Sequence, residues 1–408
     1  MSFANLKGLS FVLNRINGFA RRRTKLTQQN LTTASAGSHI VIQMPNGMID
    51  TQTLSLHGLL TTVAVTAKVS VASIEHVIDS MWLEVNGQQV TQPYKYNDLC
   101  HVFESFQMGD KSGVRKIVKA WSPVTAATGV AAAVADNLSS VPFALTNIVP
   151  FSSFSPRYVD LSLMGDVRLH IRLAQNSEAL VTSATDGTAT YSLSDLYMCS
   201  DLIDLPAEYY QAVSSRLASG GLLEIPFSQW YDISGASQTL SAAGVVVQAQ
   251  VSSQSIDAVL LTCKSNYQST LVDTKGRASK HFAFGNANIT GSQIFLNNVS
   301  YPDYGAVTNA EAFLSAESLL TGMNDTVSQP VTALSSLDNF VASHYLHAER
   351  LNYTDGAANV ISGINASGAP LQIRGVITGT GGAVYPLLYV ATTASLLVGA
   401  NRQISVRY

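Results

Sequence analysis

Twice in this chain, about 210 residues apart, the same short order of parts recurs, and that duplication constrains the fold more than any other feature of the sequence. The first copy reads Met81-Trp-Leu-Glu-Val85, the turn pair Asn86-Gly87, then Gln88–Thr91 and Pro93-Tyr94. Residues 96–108 follow, with Tyr96, Leu99, Cys100, Val102, Phe103 and Phe106 at helical spacing. The second copy reads Ser292-Gln-Ile-Phe-Leu296, the turn Asn297-Asn298, Val299-Ser-Tyr301, then Pro302 and Tyr304. A helical segment runs on from about Thr308 to Leu320, opened by the capping-box pair Thr308 and Glu311. An Asn-Gly pair between alternating runs is a strong hairpin signal, because both turn residues must take positive φ.

The surroundings of the two copies agree. Each is preceded by three or four strand-like runs (39–71 in the first half; Leu222–Ile225, Val245–Val251 and Ala258–Lys264 in the second). Each is followed by a stretch of small residues (123–141 and 321–336) and then by long closing strands. Roughly eight strands per half, with no alternating helix pattern, predicts antiparallel sandwiches or barrels and not a parallel α/β sheet. The fold class expected is all-β: two tandem eight-stranded jelly rolls, each with a short inserted helix, plus an N-terminal helical arm. The expected divisions are an arm over 1–38, a first jelly roll over 39–205, a linker helix over 206–221, and a second jelly roll over 222–408.

Charge is scarce and unevenly placed. Hydrophobic residues make up 46% of the 408 positions and charged ones only 12%, about half the usual share. The surface must therefore be rich in Ser, Thr, Asn, Gln and Gly, which suits a protein packed against copies of itself. No carboxylate precedes Asp50, whereas Lys7, Arg15, Arg21, Arg22, Arg23 and Lys25 all do. Leu6, Leu9, Leu13, Ile16 and Phe19 recur at three- and four-residue steps, which predicts a basic amphipathic helix over 5–23. The polar stretch 24–38 reads as a linker. Such an arm attracts phosphates, of nucleic acid or of lipid headgroups.

Signals for chemistry are weak throughout. Cys100, Cys199 and Cys263 are widely spaced and read as buried thiols of a protein folded in a reducing cytoplasm. Gly375, Gly379, Gly381 and Gly382 precede a strand that contains Pro386, so they read as a loop between strands and not as a phosphate cradle. His344 and His347, with Glu349 near, have the spacing of a metal pair but lack further ligands, and are assigned to a surface or interface helix. Asp160, Asp166, Asp195, Asp201 and Asp204 read as strand-end carboxylates. No catalytic residue, metal or cofactor is assigned. No run of about 18 apolar residues spans a membrane, and the N-terminus lacks the order of a secretory signal.

Taken together, these features resemble the double jelly-roll major capsid proteins of tailless icosahedral viruses, the group that includes tectivirus-type phages with an internal membrane. Tyr191-Ser-Leu-Ser-Asp-Leu-Tyr197 with Asp201-Leu-Ile-Asp-Leu205 looks like the end of a first jelly roll of that family, and Arg157-Tyr158-Val159-Asp160-Leu161 like the lead into its last strands. The resemblance implies a homotrimer of pseudo-hexagonal outline that tiles an icosahedral shell with neighbouring capsomers and with other capsid proteins, penton or minor ones. It implies a place in the virion, with assembly in the host cytoplasm and without secretion. Residues 1–38 would then face inward, to membrane or genome, and loops 123–141 and 321–336 would form outward towers. Neither a small-molecule substrate nor enzymatic activity is implied. The alternatives are a carbohydrate-binding or host-attachment sandwich, which would display exposed aromatic platforms, and a β-sandwich enzyme, which would gather carboxylates or histidines in one pocket. Of the three tryptophans, Trp82 and Trp230 sit in strand-like runs.

Overall fold

The computed structural model describes residues 20–27, 31–63, 69–71, 73–107, 140–146, 148–182, 189–265, 284–322, 336–353 and 361–408. The first half supplies eight main strands: β1 (Ala20–Thr27, resumed at Thr33–Ser35), β2 (His39–Gln43), β3 (Ser55–Val63), β4 (Ile78–Val85), β5 (Gln88–Gln89), β6 (Val141–Leu145), β7 (Val167–Leu173) and β8 (Thr190–Asp204). They pair antiparallel in two sheets, β1-β8-β3-β6 and β2-β7-β4-β5. The second half supplies β9 (Leu223–Ser234), β10 (Val245–Val251), β11 (Ile256–Lys264), β12 (Ile289–Leu296), β13 (Val299–Tyr301), β14 (His347–Arg350), β15 (Leu371–Gly379) and β16 (Ala383–Val398). Their sheets are β9-β16-β11-β14 and β10-β15-β12-β13. The two halves therefore share one strand order, the first-eighth-third-sixth and second-seventh-fourth-fifth pairing of a jelly roll. Short strands such as Met48–Asp50 and Ile404–Arg407 extend the first sheet of each half.

Local chemistry explains the shared landmarks. Asn86 and Gly87 take φ of 51° and 78°, and Asn297 and Asn298 take 49° and 66°, so both hairpins turn through left-handed residues. Helix α1 (Tyr96–Gln107) follows the first hairpin; α2 (Ala207–Ala218) joins the halves; α3 (Asn309–Gly322) follows the second hairpin; and α4 (Leu337–Ser343) precedes β14. At the start of α3, Thr308 N donates to Glu311 Oε2 at 2.8 Å and Glu311 N donates back to Thr308 Oγ1 at 3.4 Å. That is the capping box read from the sequence.

Burial separates the sheets. β15 alternates buried and half-buried along its whole length, as a strand with one face in the core must. β11 is buried at eight of nine positions. Val259, Leu261 and Cys263 enter the core of the second half, while Ala258 and Leu260 belong to the core that contains the first half. The β9-β16-β11-β14 sheet is thus covered on both sides, once by its own jelly roll and once by the first half. Complete burial of a Val or Leu side chain contributes about 1.5–3 kcal/mol, so the near-continuous apolar runs of β11 and β16 hold the halves together.

Three expectations need correction. Ala20–Thr27 is a strand, not the end of a helix, and with Thr33–Ser35 it pairs along β8 from Ala20 opposite Asp204 to Ser35 opposite Ser192. An arm ending at residue 38 would therefore take the first strand of the jelly roll with it, and residues 24–38 are not a plain linker. His344 and His347 share no helix: α4 ends at Ser343, and His347 opens β14. None of the cysteines is in a disulfide, and Cys263 is buried, its thiol pushed up to about 12 by that burial, but Cys100 and Cys199 are only half-buried. The predicted tower loops, the helix over 5–19 with Lys7 and Arg15, and Trp121 lie outside the described residues.

Candidate assembly surface

The first half meets the second through the elements that follow its own hairpin. From α1, Asp98 Oδ2 accepts from Lys264 Nζ of β11 at 2.7 Å, and neither side chain has appreciable solvent exposure. Phe103 of α1 packs edge-on to Trp230 of β9, ring centroids 5.5 Å apart. The Lys95 N–H donates to Asp232 Oδ2 at 3.3 Å. Beyond β6, Ser155 N donates to Pro226 O at 2.9 Å and Ser228 N to Ser153 O at 3.1 Å, which carries the sheet edge of β9 into the first half. Asn86 Nδ2 reaches Arg402 O at 3.4 Å, and Tyr408 Oη donates to Val90 O at 3.3 Å.

Because the halves are duplicates, each side of this seam has a counterpart, and each counterpart keeps exposed surface, although α3 also turns Ala316 and Leu319 into the core that contains the first half. The second half's own post-hairpin elements are β13, the loop after it, α3 and the segment after β14. They carry Val299, Tyr304, Leu314 and Tyr353, exposed by 64%, 69%, 60% and 92%. Exposed large apolar side chains gathered on one set of elements mark an interaction face. Asp303 and Glu311 lie on the same elements and Glu349 on β14, and these carboxylates border Tyr301 and Tyr304. On the first half, the outer side of the β1-β8-β3-β6 sheet corresponds to the surface of the second half that the seam covers. There β1 is exposed at most positions, and Val63 of β3 is 53% exposed.

That open side is where four of the sequence-predicted basic residues, Arg21, Arg22, Arg23 and Lys25, lie. Arg21 Nε donates to Asp201 Oδ2 at 2.7 Å, and its Nη2 also contacts Asp201 and lies 3.9 Å from Asp50 Oδ2. Arg157 holds the same Asp50 with two parallel bonds of 3.0 and 2.8 Å. That fork of charged donors holds the Asp50 carboxyl below the usual carboxylate range. Arg22 Nε is 3.7 Å from Asp204 Oδ2, an exposed pair. Lys25 Nζ sits 3.8 Å over the Tyr197 ring, which in turn stacks on His57. Arg23, opposite Asp201 in the ladder, lowers the basicity of His57, adding to the larger effect of burial. The structure thus brings Arg21, Arg22, Arg23 and Lys25 together as one edge strand whose charges are partly met by Asp50, Asp201 and Asp204.

Other candidate chemistry resolves into structure. His347 is fully buried; its ring bonds Ser292 Oγ at 2.9 Å and Glu349 Oε1 at 2.9 Å, and no cluster of metal-ligating side chains occurs among the described residues. Asp160 caps the turn Leu161–Leu163 through Ser162 N at 3.0 Å. Gly375 lies within β15, where a Cβ would stand 2.4 Å from Leu261 Cδ1, so this glycine serves sheet-to-sheet packing. Sequence reasoning missed the seam residues Asp98, His101, Lys264 and His344. The one signal that could have found them is the apolar run Ala258–Leu261 continuing through Thr262 and Cys263 to a lysine, which reads as a strand buried on both faces.

No protein-family model matches the sequence, and no curated protein matches it. Solved structures do match. The Faustovirus major capsid protein aligns over 98% of this chain and 94% of its own, with a TM-score of 0.64 and 10% identity. A chain of the PBCV-1 virus capsid aligns over 97% of this chain and 98% of its own, with a TM-score of 0.61 and 12% identity. A chain of the Sputnik virophage aligns over 96% and 88%, with a TM-score of 0.52 and 11% identity. With the strand order of both halves, these likenesses give the fold: the chain is built as the double jelly roll of viral major capsid proteins.

Proposed function

We propose that this chain is a major capsid protein that forms a homotrimer and, through neighbouring trimers, the shell of an icosahedral virion. The observation that carries the reading is the pair of open faces left by the duplication. Within the chain, the post-hairpin elements of the first half cover the β9-β16-β11-β14 sheet of the second. The equivalent elements of the second half keep Val299, Tyr304, Leu314 and Tyr353 exposed, bordered by carboxylates, and the equivalent sheet of the first half, with its basic edge strand, is exposed as well. A second copy supplies each face with its partner. The contact is head-to-tail, and a heterologous contact that repeats an internal one closes into a ring when the rotation between copies closes, as it does in a trimer. Opposite charge on the two faces fixes the register and suppresses wrong pairings.

In this reading residues 1–19, with Lys7 and Arg15, face the particle interior, toward lipid or nucleic acid, while Arg21–Lys25 serve the sheet and its neighbour. Other capsid proteins fill the remaining shell positions, assembly takes place in the host cytoplasm, and no substrate is turned over. The test is a pair of charge insertions, Tyr304→Arg and Leu314→Arg. Both positions are exposed, so the chain should keep its fold by circular dichroism and lose self-association. Association undiminished in both variants would contradict the face assigned here.

A further inference from the structure

Beside the Asp98–Lys264 pair, three imidazoles line the seam. His76 belongs to the turn Ile74–Val77 and His101 to α1, both in the first half; His344 follows α4 in the second. The His76 and His101 rings lie 5.2 Å apart, His101 stacks on Phe284 at 5.8 Å and on His344 at 6.3 Å, and Lys264 Nζ sits 5.0 Å over Phe284. The stack therefore runs from one half to the other. His76 is 3% exposed, and His101 and His344 are half-buried.

Charged groups reach the stack from both halves. From the first half Asp98 acts on His101, and Glu75 precedes His76 in the chain; from the second half comes Lys264. Asp232 and Lys95, the latter held by Asp79 and Glu178, lie next to Asp98. Lys264 and Asp98 neutralise each other at 2.7 Å. Each proton added to an imidazole there is a new positive charge beside a buried ammonium. Parting the two halves would return the rings to water, where protonation costs nothing extra.

We propose that this stack is an acid-released latch between the two jelly rolls: neutral imidazoles keep it closed, and their protonation opens it. Burial, with His76 and His344 adding to it, holds His101 well below its ordinary value, and burial alone pushes His344 down to about 4. A group depressed in the closed state favours closure fully above its ordinary value, and that favour drains away as pH falls from 6.5 toward the depressed value. His101 and His344 then each weight the equilibrium toward the open form by about tenfold per pH unit across that window. Asp232 works in the opposite direction, because burial raises its carboxyl, but it is one group against the stack.

Trp230 reports on the seam directly, since its ring packs on Phe103 across it. The experiment uses the full chain with Trp82 and Trp121 replaced by phenylalanine, and follows Trp230 emission and quenching by acrylamide from neutral pH down to the value of His344. The expected result is a red shift and a rise in quenching below pH 6.5, while far-ultraviolet circular dichroism still shows folded sheets. His344→Gln, at a half-buried position, should move the transition to lower pH, and His101→Gln should move it further. A Trp230 signal that stays flat over the range overturns the proposal, as does a transition left in place by His344→Gln. Neither outcome bears on whether the chain assembles into a shell.

Discussion

Replacing Lys264 by methionine removes a buried charge at low cost in volume and leaves Asp98 facing the seam alone. The two groups stand 2.7 Å apart with no exposed surface on the lysine and almost none on the aspartate. At an effective dielectric of about 20 their attraction is roughly 6 kcal/mol, while taking each ion out of water costs several kcal/mol. The pair is therefore near balance as a whole, yet each partner depends on the other. Lys264→Met should cost about 3–5 kcal/mol, the usual result of stranding one partner of a buried pair. The double variant Lys264→Met with Asp98→Leu should recover most of that, because an apolar pair of similar volume is often neutral or stabilising. The assay is urea unfolding followed by tryptophan fluorescence and by circular dichroism, comparing midpoints at constant slope. Should the halves unfold in separate steps, the loss belongs to the step that exposes Trp230. A single-variant cost below about 1 kcal/mol, the value of a solvated surface pair, would refute the reasoning, as would a double variant no better than the single one.

Deleting residues 1–38 removes β1 and leaves β8 with an unpaired edge, so the chain should lose stability and aggregate, whereas deletion of 1–19 should keep the folded state; thermal melting and solubility of the two truncations decide this. Trp82, His39 and His170 stack on one another, with all three pairs of ring centroids 5.0–5.1 Å apart, and the two imidazoles share a hydrogen bond of 2.9 Å. Burial holds both histidines below their ordinary 6.5, so the quenching of Trp82 emission by imidazolium should set in with a midpoint under that value as pH falls. Gly375→Ala drives a methyl group to within 2.4 Å of the buried Leu261 side chain and should cost about 1–3 kcal/mol in the same urea assay.

What could be read from the sequence was local. The turns at Asn86-Gly87 and Asn297-Asn298, the capping box at Thr308 and Glu311, and the helices behind both hairpins depend on residues a few positions apart, and all stand in the structure. The strand order follows once those landmarks fix the duplication. The misreadings came from partners far along the chain. Arg21, Arg22 and Arg23 fell at the end of the helix expected over 5–23, but their carboxylate partners Asp201 and Asp204 lie about 180 residues away and draw the segment into a ladder. His347 looked like the partner of His344 one helical turn back. Its real neighbours are Ser292 on β12 and Glu349 two residues on, which a strand places on the same side. Nothing local to Lys264 announces that Asp98, from the other half, makes its burial tolerable. The basic N-terminal residues were visible as a cluster, but their division between a paired strand and a preceding segment needed the β1-β8 register.

The most direct test of the account is the mass of the purified chain in solution, measured by light scattering at neutral pH and at two ionic strengths. A stable species near three times 43.4 kDa, weakened at high salt where opposite charges are screened, is the predicted result. A particle that remains at 43.4 kDa when concentrated would contradict the proposed capsomer, and with it the pairing of the two open faces.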